Sequence, residues 1–499
     1  MLLRRVAVEN VRSFLDRADL QTDGDISILI GPNGGGKTNL LDTVVIMLRR
    51  YLYASMYAVH VPTAEQQDRY EFRPNDALNQ LVLDRHSQSG DRLQLIEVEV
   101  EVTASDLENM ASMKKDAAQL HELARKKYHN VQLKSAAEWD LARLRAGDRL
   151  VYRLENGELI FDASSAAAPF LQYLQLFEIE SRIRDEFDLA SLKTPIVYLP
   201  VNRSSGVFQS SVQLANYNEA EQKRQNDAAI SRTGSSLIQL AIGRIAQKYR
   251  LLLEKDKGGA ASEFRNDPNL RDLTAVLSEL GYEWELAPIN PLRNEYDVRL
   301  KKQGSSFLVG LASSGERELL TYLFAIFALN VRDALIIVDE PELHLHPKWQ
   351  KTLLDLFAKL ASSTGNQFLM ATHSPTFVSP ESIQYVSRVY SRDQKSHIVR
   401  LTASGLPDAK HLFNLVNSQN NERIFFADAV ILVEGLSDRI FFEAVLRRRL
   451  LNKPVNKIIE VVSVGGKGLF ATYQKLLDAC HVSHFTVADI DYIEQATLT

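Results

Sequence analysis

Residues 26–38 read ISILIGPNGGGKT and run directly into NLLDTVVIMLRRYL. A short apolar run that breaks into glycines and then opens an apolar-periodic stretch has one natural geometry: strand, tight loop, helix. The loop matches G-x-x-x-x-G-K-[ST] without a gap. Its glycines let backbone N–H groups wrap phosphate oxygens, while Lys37 reaches the outer phosphates and Thr38 ligates Mg²⁺. The start of the following helix adds its positive dipole end. Asn33, Gly34, Gly36, Lys37, Thr38 and Asn39 are therefore assigned to a nucleotide, expected to be ATP with Mg²⁺.

A loop of this kind needs an acidic partner on a neighbouring strand. ALIIVDE (334–340) supplies it, with Asp339 for Mg²⁺ and Glu340 to polarise an attacking water. QFLMATH (367–373) and AVILVEG (429–435) are further short apolar strands ending in polar residues. Strands alternating with helices, with chemistry at their carboxyl ends, give an α/β class. His373 follows such a strand, at its carboxyl end. LASSGERELL (311–320) turns from loop to helix at Ser314-Gly315-Glu316, a second helix start suited to phosphate.

The last part of the chain carries a different pattern. One strand ends in Glu434-Gly435, with Asp438 opening a helix; VVSVGGKGLF (461–470) is a strand into a glycine turn; FTVADIDY ends in Asp489-x-Asp491. Three strand ends would gather Glu434, Asp489 and Asp491. Carboxylates that close repel one another, and a hard divalent cation relieves them, so Mg²⁺ or Mn²⁺ is expected there. Asp438 has two readings, a metal ligand or a charge favoured by the helix dipole.

These motifs carry a resemblance. The phosphate loop, LASSGERELL and ATHSP (371–375) resemble ABC-type ATPases of the SMC/RecF-like branch, as do DEPELHLHP (339–347) and the entry segment NVRSF (10–14). The resemblance implies a head-to-head dimer in which Ser314, Gly315 and Glu316 of one copy close the ATP site of the other. It makes Arg12 a nucleotide contact. Glu342, His344 and His346 read as structural rather than as a metal set. The Glu–Gly, Gly–Gly, Asp-x-Asp order resembles TOPRIM domains. The two together resemble the OLD (overcoming lysogenization defect) family of ATP-linked nucleases. That resemblance implies Glu340, His373, Glu434, Asp489 and Asp491 as catalytic residues, a DNA substrate and a role in bacterial anti-phage defence. It also implies a partner defence protein, of helicase or retron type. The alternative reading is an ATPase scaffold or sensor without a nuclease of its own.

The expected architecture is an ABC-type P-loop ATPase with a helical insertion, followed by a TOPRIM Rossmann-like domain. The ATPase occupies 1–103 and 301–420, the insertion and further ATPase strands 104–300, and the TOPRIM part 427–499. The family carries further acidic and lysine residues beyond the Asp-x-Asp, so this TOPRIM part is expected to be incomplete. Residues 104–145 read as helix, 149–161 as a hairpin turning at Asn156-Gly157, and the family's glutamine loop falls within 64–103, near Gln66 or Gln67. Net charge is −5, so DNA would have to meet local basic groups such as LARKKY (123–128) or the arginines 447–449. Cys480 is the only cysteine, which excludes an internal disulfide and suits a cytoplasmic protein. No run of 18 apolar residues occurs, so no membrane-spanning helix is expected.

Overall fold

The computed structural model describes residues 1–54, 56–61, 69–74, 83–128, 131–163, 165–187, 189–201, 212–214, 237–255, 259–379, 381–401, 421–450 and 457–489. At its centre six strands lie in the order Lys395–Arg400, Val386–Arg392, Ile26–Ile30, Gln367–Ala371, Val331–Asp339, Thr194–Leu199. The inner pairs are all parallel; only the outer hairpin 386–400 is antiparallel. Register places the site. Ala371 pairs with both Asp339 and Leu29, so Ile30, Glu340 and Thr372 stand at one level, with Gly31 one residue further on.

Strand period decides the layers. Ile28, Ile336, Val338, Phe368 and Met370 point into one core, beneath the helices Leu237–Lys255, Ser314–Ala328 and Pro347–Thr364. Leu29, Leu335, Ile337 and Leu369 point into the other, with the phosphate-loop helix Lys37–Ile46 and a five-stranded antiparallel sheet. That sheet runs Ala18–Gln21, Leu2–Glu9, Leu95–Glu101, Arg149–Glu155, Glu158–Ile160. Its last two strands are the expected hairpin, with Asn156 and Gly157 at φ 50° and 89°.

The long helix expected over 104–145 ends sooner. It covers Ala104–Ala124, started by a Thr103–Asp106 capping box, and gives way to short 3₁₀ turns at Leu133–Glu138 and Leu141–Arg143. The stretch 64–68 that holds Gln66 and Gln67 lies outside the described residues, as does most of 202–230.

The C-terminal part is a three-stranded parallel sheet in the order Ile459–Ser463, Ala429–Val433, Ser483–Val487, with helices Leu436–Leu450 and Phe470–Ala479 between the strands. Its buried residues Val430, Leu432, Phe470 and Leu477 belong to the same core as Ile28 and Phe368 of the ATPase sheet. Among the described residues no helix is long and apolar enough to cross a membrane.

Candidate functional site

The phosphate loop is held from below by the strand beside it. A Cβ at Gly31 (φ 140°) would stand 2.0 Å from the carbonyl oxygen of Val389, and one at Gly35 would stand 2.5 Å from the same atom. A Cβ at Gly36 (φ 110°) would meet the hydroxyls of Ser396 and Ser13. At Gly34 nothing lies within 4 Å, so the loop is closed on its inner wall and open outward. Asn33 is exposed, Thr38 is half-buried, and Asn39 donates to Ser13 Oγ at 2.9 Å. Lys37 is 4 % exposed and its ammonium donates to the carbonyls of Gly31 and Pro32 at 2.7 and 3.0 Å. Burial draws its pKa down to about 8, against the pull of Glu340, Glu342 and Asp339.

Across the loop, Asp339 is buried at the last position of its strand and Glu340 follows with φ 47°. A left-handed glutamate is strained, and it is fixed here by its own N–H, which donates to Ala371 at 2.8 Å. The turn throws the Glu340 carboxylate to 3.9 Å from His373 Nε2. Burial, and then the Lys37 charge, lower the His373 pKa, so its ring is neutral at pH 7. The hard oxygens of Asp339 and Thr38, beside a buried ammonium, suit Mg²⁺ and a polyphosphate.

Arg12 (φ 49°) forms an ion pair with Asp42 of the loop helix at 2.7 Å. Ser314 and Gly315 begin a helix whose N-cap is Ser313, and Ser314 is exposed. Glu316 serves that helix start. It closes a capping box with Ser313 and takes hydrogen bonds from Tyr282 and Lys302. Partial burial pushes its pKa up, but the bonds from Tyr282, Ser313 and Lys302 outweigh it and hold it down to about 2. His346 caps the helix Pro347–Thr364, its ring accepting from Lys348 N–H.

In the C-terminal sheet Val433 pairs with Ser463 on one side and Val487 on the other. Glu434 and Asp489 therefore leave neighbouring strands at the same end. The turn 464–466 folds over Glu434, with Gly465 and Gly466 N–H both donating to its carbonyl at 3.1 Å. Among the described residues neither carboxylate has an ion-pair partner, and no group of three metal-ligating side chains occurs. Asp491 lies outside the described residues. Asp438 accepts from Gly435 N–H at 3.0 Å, which gives one of its oxygens to the helix start. Glu434 and Asp489 thus stand at the same end of neighbouring strands, each offering hard carboxylate oxygens.

Comparison with known families decides between the readings of these two halves. Residues 146–379 match "AAA domain, putative AbiEii toxin, Type IV TA system". Residues 425–491 match "Overcoming lysogenization defect protein-like, TOPRIM domain". The chain joins an AAA-type ATPase domain to an OLD-like TOPRIM domain. An OLD nuclease of Thermus scotoductus is 28% identical over 213 residues, 41% of this chain and 39% of that protein. Endonuclease GajA of Bacillus cereus is 28% identical over 155 residues, 30% of this chain and 25% of its own. A retron Vc95 probable ATPase of Vibrio cholerae is 22% identical over 416 residues, 78% of this chain and 74% of its own. The chain thus matches about two-fifths of the length of the OLD nuclease.

Two contacts of the ATPase–TOPRIM arrangement go beyond the sequence reading, in which Glu342 is structural without a stated partner and Arg388 has no role. Glu342 accepts the backbone N–H of His373 at 2.7 Å, and so holds the loop that carries the histidine. Its spacing two residues after Glu340 was the available signal. Arg388 had none: it sits in an ordinary strand, VSRVYSR, and its surroundings come from residues far along the chain.

Proposed function

We propose that this chain binds and hydrolyses ATP at Lys37, Thr38, Asp339, Glu340 and His373, and that its TOPRIM part cleaves DNA with Mg²⁺ or Mn²⁺ held by Glu434, Asp489 and Asp491, the ATP state gating the cut. The observation that carries the first half is strand register: Ile30, which leads into the phosphate loop, stands level with Glu340 and Thr372. Lys37 neutralises phosphate charge, and Asp339 with Thr38 would hold Mg²⁺, which supplies further charge stabilisation to the phosphoryl group. Glu340 orients and deprotonates water, and neutral His373 donates a hydrogen bond at the terminal phosphate. The exposed helix start at Ser314 is available to close the site of a second copy, which supports a dimer.

For the second half, support comes from the adjacent Glu434 and Asp489 and from the name of the matched TOPRIM family. A bound divalent ion there would activate water and stabilise the transferring phosphate. Glu434 and Asp489 would fix it at the strand ends. The exposed arginines 447–449 at the end of the helix Leu436–Leu450 can meet the DNA backbone. In this reading the protein serves anti-phage defence, alone or with a second defence protein. A scaffold without a nuclease is the second reading, supported by the likeness over 78% of this chain to a protein named as a probable ATPase.

The experiment is nicking of supercoiled plasmid with Mg²⁺ or Mn²⁺, with and without ATP, by this chain and by Glu434→Ala. Metal-dependent nicking lost in the variant supports the nuclease. ATP turnover with no nicking moves the chain to the scaffold reading.

A further inference from the structure

Arg388 is 1 % exposed and lies on the strand beside the phosphate-loop strand, in register with Ile30. Its guanidinium makes four hydrogen bonds, all to backbone carbonyls of the TOPRIM side. Nε donates to Phe425 at 3.0 Å and Nη2 to Ala427 at 2.9 Å; Nη1 donates to Cys480 and His481, both at 3.1 Å. The first pair of acceptors lies just before the strand Ala429–Val433, which ends at Glu434. The second pair lies just before Ser483–Val487, which leads to Asp489. One side chain therefore grips the entry points of both strands that carry the TOPRIM carboxylates.

Among the described residues no carboxylate forms an ion pair with this guanidinium. Burial draws its pKa down to about 10, which leaves it charged at neutral pH. A buried cation without an anion is an expensive way to fill space, and an apolar side chain would pack there more cheaply. What the guanidinium adds is geometry: a rigid planar fork with donors in fixed directions. Next along the strand, the Val389 carbonyl is the atom on which Gly31 and Gly35 rest. Tyr390 stacks on His481 (5.5 Å, 13°) and lies under the Arg388 cation at 5.1 Å. The strand Val386–Arg392 is thus a wall shared by the phosphate loop and the TOPRIM strands.

We propose that Arg388 is a positioning residue that sets the spacing of Glu434 and Asp489 and carries the nucleotide state of the phosphate loop to them. This rests on the gating reading above and names its carrier. A movement of Gly31 and Gly35 around phosphate moves Val389, because no free space separates them, and Arg388 then shifts both strand entries together.

The test is hydrogen exchange of the full chain with and without a non-hydrolysable ATP analogue and Mg²⁺, for wild type, Arg388→Lys and Tyr390→Leu. In wild type the analogue should slow exchange in 31–38 and change it several-fold in 429–433 and 483–487. In Arg388→Lys, which keeps the charge and loses the fork, 31–38 should still be protected while both TOPRIM strands stop responding. Tyr390→Leu leaves the four bonds and removes the stack, so it should show a reduced response; it decides the matter if Arg388→Lys does not fold. TOPRIM strands that respond equally in the variants overturn the proposal, as do wild-type strands that stay silent while 31–38 is protected. No protection of 31–38 in wild type would instead sink the ATP-binding reading, and this inference with it.

Discussion

The carboxylate of Glu342 accepts the backbone N–H of His373 at 2.7 Å, across two separate strand ends. Burial raises the Glu342 pKa, and the His373 amide is among the groups that oppose the rise. Glu342→Ala should free the histidine loop. We expect ATP turnover to fall by about 10- to 100-fold, with ATP affinity changed only slightly, because the loop acts in the transition state. Glu342→Gln keeps an acceptor and should recover much of the rate. Steady-state kcat and KM for the three proteins check this; an effect on KM alone would contradict it.

Lys37 gives a pH dependence with two opposite signs. Its folded pKa, about 8, lies below its ordinary 10.5. Between these values the unfolded chain holds the extra proton, so the nucleotide-free protein gains stability as pH rises through this window. The gain, relative to Lys37→Met, is up to roughly 3 kcal/mol. ATP binding needs the ammonium, so affinity should fall above pH 8 by up to about tenfold per unit. Titrating ATP binding and urea unfolding from pH 7 to 10 reads both.

Glu316 anchors the signature helix. Its carboxyl sits at about 2 in the fold and at 4.5 ordinarily, so its stabilisation is complete above pH 4.5 and is lost as pH falls toward 2. Glu316→Gln should cost about 1–2 kcal/mol at pH 7, and the gap to wild type should be clearly narrower at pH 3, closing only below pH 2. Urea midpoints at the two pH values measure it. A constant gap would mean that packing, not charge, sets the cost.

Gly31→Ala places a methyl group on the Val389 carbonyl. The strand cannot retreat without disturbing Arg388, and φ 140° is itself unsuited to alanine. We expect a loss of roughly 3 kcal/mol or more in stability, and no nucleotide binding. Gly34→Ala has open space around it and should be far milder, since only its φ of 75° opposes the substitution. Thermal melting of both variants compares them.

The parts of the site legible in the sequence are those built from neighbours in sequence. A phosphate loop is eight consecutive residues, and a strand end needs only an apolar run and its terminal acids. Lys37, Asp339, Glu340 and His373 therefore lie near one another, and Glu434 and Asp489 leave neighbouring strands of the TOPRIM sheet at one end. Glu316 reads differently in the fold, because the residues that claim its carboxylate, Tyr282 just before one strand and Lys302 at the end of another, lie where no motif marks them. The helix from Ala104 stops at Ala124 where the pattern suggested a longer one. The chain needs 3₁₀ turns there to bury Leu133 and Ala136.

Ile424, Phe425 and Phe426 stand at the place where the sequence motifs would divide the molecule, and all three are buried in the core that runs from Phe368 to Leu477. A knife placed between 421 and 427 would therefore cut through packing. A TOPRIM fragment released there would carry a raw apolar face and self-associate, and the ATPase left behind would carry its mirror image. The two halves are better regarded as one melting unit with two chemistries, and calorimetry of the intact chain should show a single peak.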